Sequence, residues 1–420
     1  MKMKEIKNII NTYYIINILY GMGIAVFGAT LYLYMESLHY SYAEMNIFLS
    51  VFWIVSFLTE TPSGIIADTF GRKNTIISSC IIRSIGLLFL FIDWGNITFL
   101  ILGAIFTAIG ESLKSGTLDS WMIDRILAID ETFTFDKVFS INSMAGTTVN
   151  LLSGYLGAQV LANIDLSYPI LAGIILLIIS MIVAIFKMKE PKRNLEENPH
   201  LINIGQSFNM LKKTTKEGIH FLRNDKTFFL ICLSFLPLSF IISGPGNQWQ
   251  LFFQDETKDI NTGYIWVGLN LCSILGAYLS RKISSLSENK IYILIGSTIF
   301  NTLSIILCVL TGNYLIALLL FWLHVVITAS EEVIRYTFLN QNIKNENRST
   351  LLSFFNTLEA GATILALLLN GFFSDFYGIG NAWLIMSIIS LVISIPVYLI
   401  VNSTIKKHKL GKSNEVMKTI

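Results

Sequence analysis

Runs of roughly twenty mostly apolar residues, the length a helix needs to cross a ~30 Å hydrocarbon layer, recur all along this chain. They fall at 11–35, 43–67, 74–92, 97–121, 138–162, 168–188, 226–252, 262–280, 290–310, 314–340, 350–374 and 380–402, twelve in all. Lipid offers no partner for a free amide or carbonyl, so each run must satisfy its own backbone as a helix. Of the 420 residues only 14% are charged, whereas a water-covered domain carries about 25%. The expected fold is therefore all-α and integral to a membrane, with 12 transmembrane helices.

The cations test the count. Of 30 Lys and Arg, this arrangement puts 26 on one side, Lys258 on the other, and Arg83, Lys114 and Arg335 inside spans. Positive residues are retained in the cytoplasm, so both termini and the long polar stretch after span six are expected there, in a multi-pass protein of the cell membrane. That stretch divides the chain into an N-terminal six-helix bundle over 1–188, a linker over 189–225, and a C-terminal six-helix bundle with its tail over 226–420.

Several function classes lose their footing at this level. Cys80, Cys232, Cys272 and Cys308 sit scattered inside apolar runs, which suits buried thiols better than a disulfide framework or metal cluster. Five histidines lack HxH or HxxxH spacing, and no GxxxxGK[ST] loop is present to hold ATP. No cofactor or metal is expected, and a net charge of +2 gives no nucleic-acid signal. The first apolar stretch, Tyr13 to Met35, exceeds a signal-peptide core and lacks a small-x-small cleavage site, so it is expected to remain as an anchor.

The two halves echo one another. Glu111-Ser-Leu-Lys114-Ser-Gly-Thr-Leu118-Asp119 near the end of span four parallels Glu332-Val-Ile-Arg335-Tyr-Thr-Phe-Leu339-Asn340 near the end of span ten. LLSGY at 151–155 likewise parallels LLNGF at 368–372. Matched copies in two six-span halves are the mark of transporters built from internal repeats, so pseudo-twofold symmetry is expected.

Between spans two and three stands Gly64-x-x-x-Asp68-x-x-Gly71-Arg72-Lys73. A small residue at 64 would admit a neighbouring helix. Asp68 ends a span and can accept from Arg72, and Gly71 permits a tight reversal. The pattern resembles the loop 2–3 motif of the major facilitator superfamily, G-x-x-x-D-R/K-x-G-R-R/K, with Thr69 in place of the usual cation. A degenerate copy, Gly276-Ala-Tyr-Leu-Ser280-Arg281-Lys282, occupies the equivalent loop 8–9. The resemblance implies that Gly64, Asp68, Gly71, Arg72 and Lys73 latch the two bundles in the outward-facing state. The plainer reading is a loop that only fixes orientation.

Ionisable residues inside a membrane are costly and mark candidate sites. Glu60, Glu111, Glu331, Glu332 and Glu359 are the candidates to carry a coupling proton; Glu60 and Glu359 have no cation within one helical turn. Glu111 and Lys114 share one face of span four, as Glu331 and Arg335 share one of span ten. The resemblance implies that spans one, four, seven and ten line a central cavity. Candidate cavity residues are then Asn17, Tyr20, Arg83, Lys114, Asp119 and Arg335, with Asn247, Gln248 and Trp249 in span seven, which is expected to be irregular at Pro237 and to break at Gly244-Pro245-Gly246. Each Glu could instead merely neutralise its neighbouring cation, Asn247–Trp249 could lie at an ordinary kink, and His324 reads best as a hydrogen-bonded interior side chain.

The leading expectation is a secondary transporter, monomeric, exchanging protons for an amphipathic small molecule of the drug-efflux kind. E-T-P-S-G-x-x-A-D in span two looks like bacterial drug-efflux branches of the family. Against this, the span-five Gly-Pro motif is reduced to Gly146, Gly154 and Gly157, and the span-four Arg position falls on Phe106. A carrier of an anionic metabolite or metal chelator, using Lys114, Arg335 and Arg83, is the alternative. A membrane enzyme or scaffold would need a catalytic cluster at one face, and the sequence offers none.

Overall fold

A computed structural model describes residues 2–190, 226–254, 260–343 and 348–418. Most of the expected linker, positions 191–225, lies outside the described residues, as do Lys258 and Lys344. Every element among the described residues is helical: α1 (Lys2–Gly28), α2 (Leu31–Ser37), α3 (Tyr42–Phe70), α4 (Arg72–Phe91), α5 (Ile97–Lys114), α6 (Thr117–Leu127), α7 (Asp136–Leu156) and α8 (Tyr168–Lys187). After the linker come α9 (Lys226–Phe235), α10 (Leu238–Phe252), α11 (Thr262–Ser284), α12 (Lys290–Leu310), α13 (Tyr314–Gln341), α14 (Arg348–Tyr377) and α15 (Ile379–Lys418).

Eleven of these segments are long and apolar enough to cross a membrane, counting α5–α6 and α9–α10 as one span each. The twelfth expected span is α7, whose Ser140, Asn142, Ser143, Thr147, Thr148 and Asn150 dilute its apolar character. The chain thus folds as the 12-helix transporter architecture that the span count implied. Large apolar side chains such as Ile175, Leu271, Phe300 and Val392 stay at least half exposed, which only a hydrocarbon solvent tolerates at this density.

Local chemistry sets where helices start and stop. Ser41 and Glu44 form a capping box at the head of α3, with Ser41 Oγ accepting from the Glu44 amide and Glu44 Oε2 from the Ser41 amide. Asn96, Asn289 and Asn313 cap α5, α12 and α13 through their side-chain oxygens. Three expected spans prove to be interrupted. Span one divides at Ala29–Thr30, and span four divides at Ser115–Gly116, where Gly116 takes φ +66°. In span seven the expected break at Gly244–Gly246 is not made: α10 runs unbroken through Pro245, and the interruption falls at Leu236–Pro237. Gly244 is pressed against Asn370 and Trp383, contacts that accompany a continuous helix where composition alone suggested a break.

The contacts divide the chain into two compact units, one from Met1–Asn209 and Gln254–Val267, the other from Met210–Phe253 and Gly268–Ile420. In the first, α1 packs on α7 and α8, and α4 on α5 and α8. In the second, the spans six positions later pair the same way: α10 on α14 and α15, and α12 on α13 and α15. The repeat suspected from two short motifs is therefore a repeat of helix pairing. Close approach in the first unit uses Gly86, Gly103 and Gly110, where an added Cβ would meet Thr107, Leu90 and Arg83 within 3 Å. Gly64, expected to serve this way, faces no helix of its own unit within 4 Å; the α3 face carrying it is turned away from α5.

Candidate transport and latch sites

In the first unit a polar cluster forms around Tyr20 of α1, to which α4 brings Ser79 and Arg83 and α5 brings Glu111, Lys114 and the Gly110 carbonyl. Tyr20 is 3% exposed; its hydroxyl lies 3.1 Å from Ser79 Oγ, 3.3 Å from the Gly110 carbonyl, and accepts from Arg83 Nη1 at 3.3 Å. Arg83 does not snorkel to the surface: it is buried and ion-paired with Glu111. The expected partner of Glu111 on its own helix, Lys114, instead places its ammonium 5.5 Å from the Tyr20 ring centroid. Gly110 explains the exchange. Its missing side chain lets the Arg83 backbone close on α5, which brings a cation from the neighbouring helix to the carboxylate.

The remaining N-terminal candidates lie along the same helices. Tyr13 donates to Asp119 Oδ1 at 2.7 Å, and Asn17 Nδ2 donates to Asn142 Oδ1 at 3.2 Å. Glu60 is exposed on α3 and makes no ion pair among the described residues.

The loop motif forms a clasp inside this unit. Gly71 adopts φ +91°, a backbone region that disfavours any side chain, and the Glu190 carboxylate sits 2.6 Å from where its Cβ would be. Glu190 then accepts the first two amides of α4, from Arg72 at 2.7 Å and Lys73 at 2.9 Å, as an anion at a helix N-terminus should. Arg72 bonds to the Asp124 carboxylate and the Ser120 carbonyl on α6, with Asp68 more distant at 3.9 Å. Lys73 Nζ donates to the Ile185 carbonyl at 2.7 Å. The motif thus ties α3, α4, α6 and the end of α8 together. Asp124 and Glu190 escaped the sequence reading; the available signal was that both stand in the polar stretches ending spans four and six, opposite a paired cation.

In the second unit, Glu331 is fully buried and Arg335 is 5% exposed. Glu331 Oε1 accepts from Arg335 Nε at 3.0 Å and Nη2 at 2.7 Å, while Nη1 donates to the Phe235 carbonyl at 2.6 Å. Thr298 adds a hydrogen bond at 3.3 Å, and the guanidinium lies 5.1 Å from the Phe235 ring centroid. The fourfold spacing on α13 makes this pair; Glu332, the repeat partner of Glu111, points elsewhere. Glu332 and Glu359 line a cavity of about 580 Å³ with Phe235, Tyr336, Phe355 and Arg335.

Glu332 also borders a second cavity, of about 220 Å³, with Trp249, Phe321 and His324. His324 is buried and its Nδ1 pairs with Asn301 Oδ1, whose amide donates to Thr328 at 3.1 Å. The other span-seven candidates brace helices here: Asn247 donates to its own helix at Ser243, and Gln248 is wholly buried between Ser374 and Trp383. Asn142, Thr298 and Asn301 were missed, although each is a polar residue within a span and the last two lie at mid-span.

The family model described as Major Facilitator Superfamily matches residues 13–363, most of the chain. This chain belongs to the Major Facilitator Superfamily. As such it is a membrane transporter. It is 24% identical over 416 residues, 96% of this chain and 99% of the relative, to the uncharacterized MFS-type transporter YxaM of Bacillus subtilis (strain 168). Among solved structures, the fold resembles the nucleoside transporter NupG at a TM-score of 0.71 and 14% identity, covering 94% of this chain and 99% of that one. It also resembles a bacterial homolog of the human lysosomal transporter Spinster, TM-score 0.70, 15% identical, over 96% and 98% of the two chains. The superfamily's fold is what these distant likenesses share.

Proposed function

We propose that this chain is a proton-coupled exporter of amphipathic small molecules, with organic cations as the best-suited class. The observation that carries it is the charge left over once the ion pairs are made. Arg83 is taken by Glu111 and Arg335 by Glu331. The larger cavity of the second unit keeps two carboxylates, Glu332 and Glu359, beside three aromatic rings. Carboxylates with aromatic faces suit a cation carrying an apolar body, and the same carboxylates can exchange that cation for a proton. An anionic substrate would find its proposed counter-charges already neutralised, except Lys114.

The protein is proposed to act as a monomer in the cell membrane with both termini cytoplasmic, which the distribution of cations supports. The motif at Gly64–Lys73 is proposed to hold one conformation of the transport cycle, since Arg72 gathers α3, α4 and α6 at one point. Nucleoside and peptide transporters share the fold at 12–15% identity, a distance at which their substrates do not transfer.

Proteoliposomes with an imposed pH gradient test the reading. Flux of a fluorescent quaternary-ammonium dye should follow the gradient, fall at least tenfold in Glu332→Gln or Glu359→Gln, and persist in Lys114→Ala. Gradient-independent flux, or loss of anion transport in Lys114→Ala with the glutamate variants unimpaired, would overturn it.

A further inference from the structure

A groove in the first unit, outside both clusters described above, has the chemistry of a lipid site. Helices α1 and α8 are in closest contact near Gly23 and Gly173, where an added Cβ on Gly173 would stand 2.6 Å from the Gly23 carbonyl. They remain in touch at Ile16 and Ser180, and Ile6, Ile9, Ala184 and Met188 belong to one buried cluster farther along. Beside this seam, at the charged ends of both helices, lies a cavity of about 720 Å³.

The spacing along each helix sets what lines it. Residues 4, 8, 11 and 15 share one face of α1, and they read Lys, Asn, Asn, Ile from the helix end inward. The opposite wall carries Phe186, Lys187 and Lys189, and α6 supplies Trp121 and Arg125. The Trp121 indole donates to the Lys189 carbonyl at 3.1 Å and pins that segment. Four cations therefore face the groove against one carboxylate, Glu5, which is held by Arg125 at 3.1 Å. Lys4, Lys187 and Lys189 have no carboxylate partner among the described residues.

The groove also continues onto an apolar track. Phe186, 80% exposed at its mouth, heads a stripe on α8 through Ile182, Ile179 and Ile175, all 40–50% exposed. Cations at the membrane boundary above an uninterrupted apolar stripe match one kind of molecule, charged at its head and apolar below it.

We propose that this groove binds an anionic phospholipid, its phosphate among Lys4, Arg125, Lys187 and Lys189 and one acyl chain along Ile175–Phe186. The volume lies in the range of small-ligand pockets, roughly 300–1,000 Å³. Occupancy ties α1, α6 and α8 together at their charged ends, and so stiffens the first unit.

Native mass spectrometry of the delipidated full chain, titrated with phosphatidylglycerol or with phosphatidylcholine of the same chains, tests this. Phosphatidylglycerol should bind at least tenfold tighter. Each cation near an anionic headgroup is worth about fivefold, so Lys187→Gln with Lys189→Gln should weaken it about 30-fold. Lys2→Gln with Lys7→Gln, outside the groove, should leave the affinity unchanged, and the thermal stability of all variants in phosphatidylcholine should match the parent. Equal affinity for the two lipids overturns the proposal, as does equal weakening by the control pair. Competition by soluble glycerol phosphate at the same concentration would mark a plain anion site. Indifference of the parent to either lipid, with tight binding after Glu196→Gln and Glu197→Gln, would overturn the proposal in favour of those two carboxylates as the groove's partner.

Discussion

Replacing Glu331 by Gln keeps the shape of the side chain and removes only its charge. The carbonyl of Gln can still accept one of the two bonds that Arg335 now gives to Oε1 at 3.0 and 2.7 Å. The Phe235 carbonyl still takes the third, at 2.6 Å. What disappears is the counter-charge of a guanidinium 5% exposed. Breaking a buried pair from one side costs about 3–5 kcal/mol, whereas replacing both partners by apolar residues is often close to neutral. The double variant Glu331→Leu, Arg335→Met leaves the Phe235 carbonyl without that donor, about 1–3 kcal/mol, and should still be more stable than Glu331→Gln. Equilibrium unfolding in detergent, followed by the fluorescence of the seven tryptophans, measures all three. A Glu331→Gln change within about 0.5 kcal/mol of the parent, the scatter of ordinary surface substitutions, would refute the claim that Arg335 depends on Glu331 as the counter-charge of a buried guanidinium.

Gly157→Ala drives a methyl into the Val26 carbonyl at the π-turn ending α7 and should lower stability by about 1–3 kcal/mol, read by the same unfolding curves. Tyr40 lies between α2 and α3 and donates to the buried Asp93 carboxylate at 2.5 Å; burial first, and then Asp93, pushes its phenol well above the ordinary tyrosine range. The folded state therefore holds the proton that the unfolded state releases near pH 10. This contribution is intact below pH 10 and lost as pH rises past it, by up to about 1.4 kcal/mol per pH unit. Tyr40→Phe should be less stable at pH 7 by about 1–3 kcal/mol and should show a shallower alkaline decline in a pH series of unfolding curves. Glu190→Gln removes the anion from the head of α4 and should cost about 0.3–1 kcal/mol at low salt, a difference that should shrink in 1 M salt.

Much of this molecule was legible in its sequence because lipid imposes so few solutions. A run of about twenty apolar residues in hydrocarbon has to be a helix, so span number followed from counting, the two-fold repetition from the motifs matched between the halves, and Gly71 was readable as the residue at a tight reversal. Partner choice was not legible. Glu111 and Lys114 share a helix face, yet Glu111 pairs with Arg83 of the next helix, because Gly110 allows α4 and α5 to close to backbone contact. The exception is the pair within one helix: the four-residue spacing of Glu331 and Arg335 foretold their contact, although the repeat motif aligned Glu332 with Glu111. Asp124 and Glu190 reach Arg72 and the α4 amides from positions 52 and 118 residues away in sequence.

By itself, then, the sequence determined the solvent, the secondary structure, the number of crossings and the family, since these follow from hydropathy and short-range spacing. Only the tertiary structure decided which charges meet between helices, that span seven runs on through Gly244–Gly246, and which carboxylates remain unpaired among the described residues. Those outcomes depend on how closely two helices approach, and that distance is set by side-chain volume at their crossing rather than by anything written along either helix alone.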